Sequence, residues 1–337
     1  MKILITGGKG FIGNSIAKKL SMLGHEISTV SRSSDYRKKE YITAHHQYDL
    51  SKDNLNHQIL KNIDVVFHVA AKAGIEGKYN DYYASNYLAT KRLLDACKSS
   101  SVQNFIYTSS PSVVFTKEPI KNANENLPYI KNKVSPYAQT KAIAEKEVLN
   151  SNDNINFKTI ALRPHLVWGE GDPHLLPKVI RRHAEGKLKI VGDGLNQVDL
   201  THIDNVTHAH VTAMNALISN KPVGGKAYFI SQSEPVQLWK WLNDLFIKLK
   251  LPPLKKRVSF QKAYLAGMVA ESLWGLFNFS KDLPMSRFAA CQLSHDHWFS
   301  NYAAEKDLGY RPIISMEKAL DKTIPWLQAI SDSSIGD

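Results

Sequence analysis

A glycine-rich turn close to the N-terminus constrains the fold of this chain more than any other feature of its sequence. A short apolar run at residues 3–5 leads to Thr6, glycines follow at positions 7, 8, 10 and 13, and a helical pattern of apolar residues starts inside the turn. This order predicts a strand, a tight turn and a helix. The first N–H groups of such a helix, and its positive end, suit the pyrophosphate of a dinucleotide. We therefore expect a dinucleotide to be held by Gly7, Lys9, Gly10, Phe11, Ile12 and Gly13.

Strand and helix patterns then alternate through the first half of the chain. The expected strands after the turn are 27–30, 44–48, 64–70, 104–110 and 155–163, and the long expected helix is 82–98. The run at 64–70 is largely apolar and does not alternate with polar residues, which is typical of a parallel strand that is covered on both faces. The alternation predicts an α/β fold. We expect a Rossmann-type doubly wound parallel sheet with helices on both faces, plus a smaller, mainly helical C-terminal substrate region.

The pattern loosens after Pro164, and this change suggests how the chain is divided. We expect residues 1–165, with 188–232 returning to them, to form the dinucleotide-binding domain. Residues 166–187 and 233–330 would form the substrate-binding region, and residues 331–337 a frayed tail. The C-terminal part contains apolar residues that could line a sleeve for a long acyl chain, pack as core, or dock on a membrane surface or a partner. They are Tyr264, Leu265, Met268, Trp274, Phe277, Phe279, Phe288 and Trp298.

Composition and charge limit the function classes. The formal net charge is +12, but the cations form only short clusters without a recognition motif, so we expect no nucleic-acid partner. The first strand begins at residue 2, which leaves no room for a signal peptide, and no apolar run approaches the ~20 residues of a spanning helix. Peripheral contact with a membrane stays open. Cys97 and Cys291 lie far apart without metal-ligand spacing, so we expect no metal site, reduced thiols and a cytoplasmic location.

The end of the second expected strand indicates which dinucleotide is bound. NAD-binding sites usually place a carboxylate there for the ribose 2′-hydroxyl, but this chain has Ser31 and Arg32. A guanidinium can pair with a 2′-phosphate through two parallel hydrogen bonds. The sequence therefore favours NADP(H), with Lys9 and Arg37 adding positive charge. Asp49, at the end of the third strand, is a candidate adenine contact that could equally be a loop residue.

A proton donor is expected on the helix that begins at Ser135-Pro136. Tyr137 and Lys141 lie four residues apart and share one face of that helix. The spacing Tyr-x-x-x-Lys occurs five times in the chain, but only at Tyr137 does it follow a strand that ends in serine, at Ser110. We expect the lysine ammonium to lower the pKa of the Tyr137 phenol, so that the tyrosine can protonate a carbonyl oxygen held by Ser110. The candidates for a substrate carboxylate are Lys72, His165 and His174.

The combination of these residues resembles the extended short-chain dehydrogenase/reductase family, and within it the 3β-hydroxysteroid dehydrogenase-like branch. The resemblance rests on 6–13, 49–50, 68–71, 107–110, 137–141 and 163–164. It assigns catalytic roles to Ser110, Tyr137 and Lys141. The further cofactor contacts that it implies are Asp49, Leu50, Ala70, Ala71, Tyr137, Lys141 and Pro164.

Three further segments, at 109–115, 163–177 and 226–231, resemble the bacterial reductases of long-chain olefin biosynthesis. That resemblance implies NADPH-dependent reduction of a 2-alkyl-3-oxoalkanoic acid to the 3-hydroxy acid. It also implies a homodimer formed through two helices, with other enzymes of the same pathway as candidate partners. A 3β-hydroxysteroid or sterol dehydrogenase would share every catalytic residue. A non-catalytic NADP(H) sensor would not need the tyrosine and lysine. An epimerase or dehydratase would prefer NAD(H), and Val114, Phe115 and Trp168 depart from the sugar-nucleotide enzymes.

Overall fold

The structure, a computed structural model, describes residues 1–33, 39–53, 55–74, 77–131, 135–277 and 285–335. The strands of this part of the chain are β1 Lys2–Thr6, β2 Glu26–Ser31, β3 Ala44–Gln47, β4 Val65–His68, β5 Asn104–Thr108, β6 Ile120–Ala123, β7 Lys158–Pro164, β8 Val167–Trp168, β9 Ile190–Val191, β10 Gln197–Val198, β11 Thr201–His202, β12 Lys226–Ile230, β13 Val236–Gln237, β14 Arg257–Val258 and β15 His297–Phe299. The α-helices are α1 Phe11–Met22, α2 Tyr79–Tyr82, α3 Ala89–Lys98, α4 Pro136–Asn150, α5 Leu175–Ala184, α6 Ile203–Ile218, α7 Leu238–Lys248, α8 Phe260–Phe277, α9 Arg287–Ser294 and α10 Met316–Ile335. Short 3₁₀-helices cover His57–Leu60 and Pro111–Val114, and π-helical turns cover Tyr83–Leu88 and Ala304–Leu308.

A parallel sheet of seven strands organises the described residues. Its order is β12-β7-β5-β4-β1-β2-β3, and every pairing in it is parallel. The chain leaves β1 toward β2 and β3, then returns to the other side of β1 with β4. Open α/β sheets bind ligands at the carboxyl ends of the strands at such a reversal. The predicted doubly wound α/β fold is confirmed.

Helices cover both faces of the sheet because side chains alternate along each buried strand. In β1, Ile3 and Ile5 pack with Leu20 of α1 and Leu217 of α6. Leu4 points the other way and packs in the layer of α3 and α4. Each strand therefore contributes to two apolar layers, which explains why the apolar runs in the sequence are continuous.

A second core lies beyond the main sheet. It is built around Trp168, which meets the ring of Trp241 edge-on at 5.3 Å between centroids. Leu176 of α5, Phe246 of α7 and Leu327 of α10 belong to the same cluster. A four-stranded sheet of order β13-β10-β15-β6 joins this region to the loop after β5, through pairing of β15 with β6. The sequence did not predict β6, because four residues give too short an alternation.

Several element boundaries differ from the expectations, and the strands expected at 64–70 and 104–110, for example, span only Val65–His68 and Asn104–Thr108. The strand predicted at 155–163 begins only at Lys158, because the Asp153 carboxylate accepts hydrogen bonds from three successive backbone N–H groups, at 155–157. The helix predicted at 82–98 begins at Tyr79 and passes through the π-helical segment Tyr83–Leu88. Residues 331–335, which belong to the predicted frayed tail, continue α10 to Ile335, and Ser331 is buried.

The apolar stripe predicted at 264–298 is divided between two environments. On α8, Gly267 lets the helix approach the start of α9 so closely that a Cβ would lie 2.6 Å from the Ser286 backbone. Leu265, Met268, Val269 and Leu273 are exposed on other sides of α8. Phe288 packs on the ring of Phe115 at 4.7 Å. Phe279 and the side chains of Trp274 and Phe277 lie outside the described residues, as does Arg37. In the described part, no helix is long and apolar enough to cross a membrane.

Candidate functional site

A cavity of about 460 Å³ opens at the carboxyl ends of β1, β2 and β4, where the strand order reverses. Most of the residues predicted to bind a dinucleotide line it: Gly7, Lys9, Gly10, Phe11, Ile12, Gly13, Ser31, Arg32, Asp49, Leu50, Ala70 and Ala71. Lys72 and His174 line it as well. The catalytic candidates Ser110, Tyr137 and Lys141, together with Pro164 and His165, are not among the lining residues.

The glycine turn is shaped by close backbone approaches. Gly7 has a φ of +70°, and its carbonyl accepts a hydrogen bond from the Gly10 N–H at 2.8 Å. A Cβ on Gly13 would lie 2.3 Å from that same carbonyl oxygen. At Gly10, which lines the cavity, a Cβ would lie 3.2 Å from the Gly7 carbonyl oxygen and, apart from its chain neighbours, meet no other atom of the described residues within 4 Å, so the missing side chain leaves space on the cavity side.

The start of α1 suits an anion. Gly10 is its N-cap, no side chain caps its first N–H groups, and no acidic residue occupies its first turn. The positive end of the helix therefore faces the cavity, without a carboxylate of the first turn to satisfy it. A bare glycine backbone next to an uncapped helix start fits the pyrophosphate of a dinucleotide.

The far end of the cavity is lined by both cations and an acid. Ser31 and Arg32 line it directly after β2, as does Lys9, whose Nζ donates to the Ser33 carbonyl at 3.4 Å. Asp49 also lines the cavity. Its carboxylate accepts from the Ser51 hydroxyl at 2.6 Å, and this hydrogen bond lowers the pKa of Asp49. Two cations and an ionised carboxylate therefore lie at this part of the cavity wall.

The three catalytic candidates come together beside β5. Ser135 caps α4 by accepting from the Ala138 N–H at 3.2 Å, and Pro136 occupies the first helical position. The phenol of Tyr137 then lies near Ser110. One turn later Lys141 is fully buried, and its Nζ donates to the Thr108 carbonyl at 2.6 Å. The same Nζ lies 4.0 Å from the centroid of the Tyr107 ring.

The expected effect of Lys141 on Tyr137 is wrong for this structure. Burial raises the pKa of Tyr137, against the opposing effect of the nearby Ser110 hydroxyl. Burial also lowers the pKa of Lys141 to about 7, although the Glu145 carboxylate opposes that shift. The ammonium is directed to the Thr108 carbonyl and the Tyr107 ring, so desolvation dominates at both groups. Both side chains are therefore held closer to their neutral forms than the sequence suggested.

The sequence analysis missed a buried ion pair behind the catalytic candidates. Glu145 lies one further turn along α4 and is fully buried, and Arg163 at the end of β7 is 2% exposed. The guanidinium donates to both carboxylate oxygens, with Nη2–Oε1 at 2.6 Å and Nε–Oε2 at 3.0 Å. The Tyr129 hydroxyl donates to Oε1 at 2.8 Å. Glu145 follows Lys141 by four residues, as Lys141 follows Tyr137. This spacing was the signal that could have revealed the ion pair.

The candidates for a substrate carboxylate lie in different environments. Lys72 pairs with Asp81, at 3.1 Å between Nζ and Oδ2, and lies over the ring of Tyr82. His174 is exposed at the start of α5. His165 is buried, with its Nε2 3.2 Å from Nδ1 of His297, and burial holds the pKa of His165 well below its usual range.

Several cavity residues carried no recognised signal in the sequence. Those that the sequence analysis did not name for the site are Val30, Tyr48, Ser51, Val69, Ser85, Ala89, Val167, Asp172, Pro173 and Leu175. Asp172 accepts hydrogen bonds from the backbone N–H groups of His174, Leu175 and Leu176, and so positions α5 at the cavity. Within the described residues, no group of three or more His, Cys, Asp or Glu side chains could hold a metal ion.

A Rossmann sheet with a glycine turn at its switch point, and with serine, tyrosine and lysine beside it, defines the class of extended short-chain dehydrogenases/reductases. The chain belongs to the 3-beta hydroxysteroid dehydrogenase/isomerase family, whose model matches residues 4–261. It is therefore an oxidoreductase of this class.

Two groups of relatives are similar over nearly the whole chain. The 2-alkyl-3-oxoalkanoate reductase of Stenotrophomonas maltophilia is 38% identical over 322 residues, covering 95% of this chain and 97% of that protein. The decarboxylating sterol-4-alpha-carboxylate 3-dehydrogenase of Mus musculus is 31% identical over 331 residues, covering 96% and 90%. Among solved structures, the UDP-glucuronic acid 4-epimerase of Bacillus cereus in complex with NAD superposes with a TM-score of 0.75 at 22% identity, covering 98% and 100%, which supports the fold.

The ion pair of Glu145 and Arg163 leads to a stability prediction. We expect Glu145→Leu and Arg163→Met each to lower the free energy of unfolding by about 3–5 kcal/mol, because each leaves a buried charge without its partner. The double variant should lose much less than the two single losses together, because no charge then remains to be desolvated. Urea unfolding of the four proteins measures this coupling.

A matched control uses the exposed pair of Lys240 and Asp244, which lie 2.7 Å apart on α7. The corresponding variants Lys240→Met and Asp244→Leu should cost at most about 1 kcal/mol through the lost pair. If the effects at Glu145 and Arg163 were simply additive, the buried pair would not be energetically coupled.

The low pKa of Lys141 predicts how stability depends on pH. Between about pH 7 and about pH 10 the unfolded chain holds a proton on Lys141 that the folded protein has released, so the free energy of unfolding rises with pH. Lys141 alone should raise the free energy of unfolding by up to roughly 1.4 kcal/mol per pH unit in this range. In Lys141→Met this contribution disappears, whereas Lys18→Met, at an exposed site on α1, should keep it. Urea unfolding across this pH range would contradict the assignment if all three proteins gave the same slope.

Proposed function

We propose that this chain is an NADPH-dependent ketoreductase that converts the 3-keto group of a 2-alkyl-3-oxoalkanoic acid to a 3-hydroxy group. The observation that carries the proposal is the grouping of Ser110, Tyr137 and Lys141 beside β5, where Ser110 lies close enough to affect the Tyr137 phenol and Lys141 is one turn along α4. The substrate class is supported by the 38% identity to a 2-alkyl-3-oxoalkanoate reductase. The name of the mouse relative likewise describes a substrate with a carboxylate on the carbon next to the carbon that is oxidised.

Each catalytic candidate has a role that follows from its contacts. The reduced nicotinamide, when bound, supplies the hydride for the carbonyl carbon. Tyr137 donates its hydroxyl proton to the ketone oxygen, and the raised pKa keeps that proton in place at neutral pH. Ser110 donates a hydrogen bond to the same oxygen. Lys141, with a pKa of about 7, can carry or release a proton behind the tyrosine without a large energetic cost.

The preference for NADPH rests on the charge at the end of β2. The adenosine end of the cofactor would lie near Ser31, Arg32 and Asp49, with the pyrophosphate at Gly10 and the start of α1. The Arg32 guanidinium pairs with the 2′-phosphate, and Lys9 adds to the local positive charge. Gly7, Phe11, Ile12, Gly13, Leu50, Ala70, Ala71 and Pro164 complete the proposed cofactor site.

A 3β-hydroxysteroid or sterol dehydrogenase is the second candidate, because the matching family model and the 31% identical mouse protein both have steroid names. The same catalytic residues would then work in the oxidising direction. In the preferred proposal the enzyme acts in long-chain olefin biosynthesis in the cytoplasm, as a homodimer, alongside other enzymes of that pathway.

The direct test is oxidation of NADPH by the purified protein with a 2-alkyl-3-oxoalkanoic acid. Tyr137→Phe should lower turnover by roughly a hundred- to ten-thousandfold while NADPH affinity is kept, because only the transferable proton is lost. Tyr87→Phe is the matched control, since Tyr87 also precedes a helical lysine by four residues.

Retained turnover in Tyr137→Phe would refute the catalytic assignment. An enzyme that ignores the keto acid but oxidises a 3β-hydroxysteroid with NAD would favour the second candidate.

The choice of cofactor predicts an effect of Arg32. Arg32→Ala should reduce kcat/KM for NADPH by roughly ten- to a hundredfold, as expected for a lost hydrogen bond to a charged group, and leave kcat/KM for NADH nearly unchanged. Lys52→Ala removes an exposed cation near Asp49 that does not line the cavity, so it should change neither value. An equal loss with both cofactors would assign Arg32 a structural role.

A further inference from the structure

We propose that Lys72 binds the carboxylate of the substrate and makes the enzyme selective for 3-keto acids over neutral 3-ketones. The proposal rests on the ketoreductase function given above and adds the group that recognises the substrate charge. Among the three candidate cations, Lys72 is distinguished by its surroundings and by the residues that hold it in place.

The backbone of Lys72 is fixed to the helix that carries the catalytic candidates. Asn86 is 1% exposed, accepts from the Lys72 N–H at 2.7 Å, and donates through Nδ2 to the Lys72 carbonyl at 3.1 Å. The same Nδ2 lies 3.2 Å from Oγ1 of Thr140, between Tyr137 and Lys141 in α4. One buried amide thus joins the loop after β4 to α4.

Asn86 belongs to the π-helical segment Tyr83–Leu88. Such wide turns inside helices occur frequently at functional sites. Here the π-helical turn contains the amide that contacts both the Lys72 backbone and Thr140.

The ammonium of Lys72 and the proposed proton donor both contact the ring of Tyr82. The Lys72 Nζ is 5.0 Å from the centroid of that ring, and Tyr82 is fully buried. The Tyr137 ring meets the same ring edge-on at 6.4 Å between centroids. In a 3-keto acid, a single carbon separates the ketone carbon from the carboxylate. A cation and a proton donor that share one tyrosine ring match such a substrate.

The present partner of Lys72 can be replaced by a substrate. The ion pair with Asp81 is open to solvent, with 35% of the lysine side chain and 56% of the aspartate side chain exposed. Exposed pairs of this kind contribute little to stability, so a substrate carboxylate can take the place of Asp81 at low cost. Gly77 leaves room there, because a Cβ at this position would lie 3.2 Å from the Lys72 Nζ.

The other two candidates are less suitable for a carboxylate. His165 is buried away from the cavity, and its ring nitrogen is engaged with His297. His174 lies at the rim of the cavity, where its backbone is bound by Asp172. The Lys72 ammonium, by contrast, lies on the ring that touches Tyr137.

The test compares a 2-alkyl-3-oxoalkanoic acid with its methyl ester, in the wild type and in Lys72→Met. For the acid we expect kcat/KM to fall by roughly ten- to a hundredfold in the variant, mainly through KM, because a charge-assisted hydrogen bond is lost. The values for the ester, and KM for NADPH, should stay unchanged. Lys78→Met changes an exposed lysine at the start of α2 and should leave both substrates unaffected.

Asp81→Asn provides the opposite change. It removes the competing carboxylate, so KM for the acid should fall while the ester is unaffected. Equal losses for acid and ester in Lys72→Met, or a raised KM for NADPH, would overturn the assignment of Lys72. Failure of the wild type to reduce either substrate would instead refute the ketoreductase function itself, and the two failures are therefore distinguishable.

Discussion

The buried ion pair between Glu145 and Arg163 is the interaction on which the geometry of the site depends. It joins α4 to the end of β7, deep between helix and sheet, where a displaced charge would be costly. The carboxylate accepts hydrogen bonds from two nitrogens of one planar guanidinium. This contact therefore fixes the rotation of α4 about its axis as well as the position of the helix. Tyr137 and Lys141 lie on the same helical face as Glu145, so their directions are fixed by the same contact.

This arrangement accounts for the balance of charge in the site. Lys141 is buried without a carboxylate in direct contact, and its Nζ is bound by a carbonyl and an aromatic face. Glu145 is close enough to oppose the fall in the pKa of Lys141, but Arg163 neutralises most of its charge. The lysine therefore remains poised near neutral pH.

Local signals in the sequence were sufficient for the sheet, the glycine turn and the capped helix at Ser135, because each depends on neighbouring residues. Contacts between distant residues were not predictable in this way. The pair Glu145 with Arg163, the pairing of β6 with β15, and the position of Asp172 at the cavity all join segments that only the folded chain brings together. The effect of Lys141 on Tyr137 was misjudged for a related reason, since burial of both groups is a tertiary property.

The same distinction separates the part of the site that is proposed to bind the cofactor from the part that is proposed to recognise the substrate. Gly7, Gly10 and Gly13 follow one another in the chain, so a short segment is sufficient to make a phosphate site that many sequences can share. Lys72 is held by Asn86 and directed by Tyr82, and these contacts depend on how the π-helical segment packs against α4. A few substitutions around this packing can therefore change the enzyme's selectivity for the charge of its substrate, while the dinucleotide site stays unaltered. A family whose named relatives act on alkanoates and on sterol carboxylates is consistent with that division.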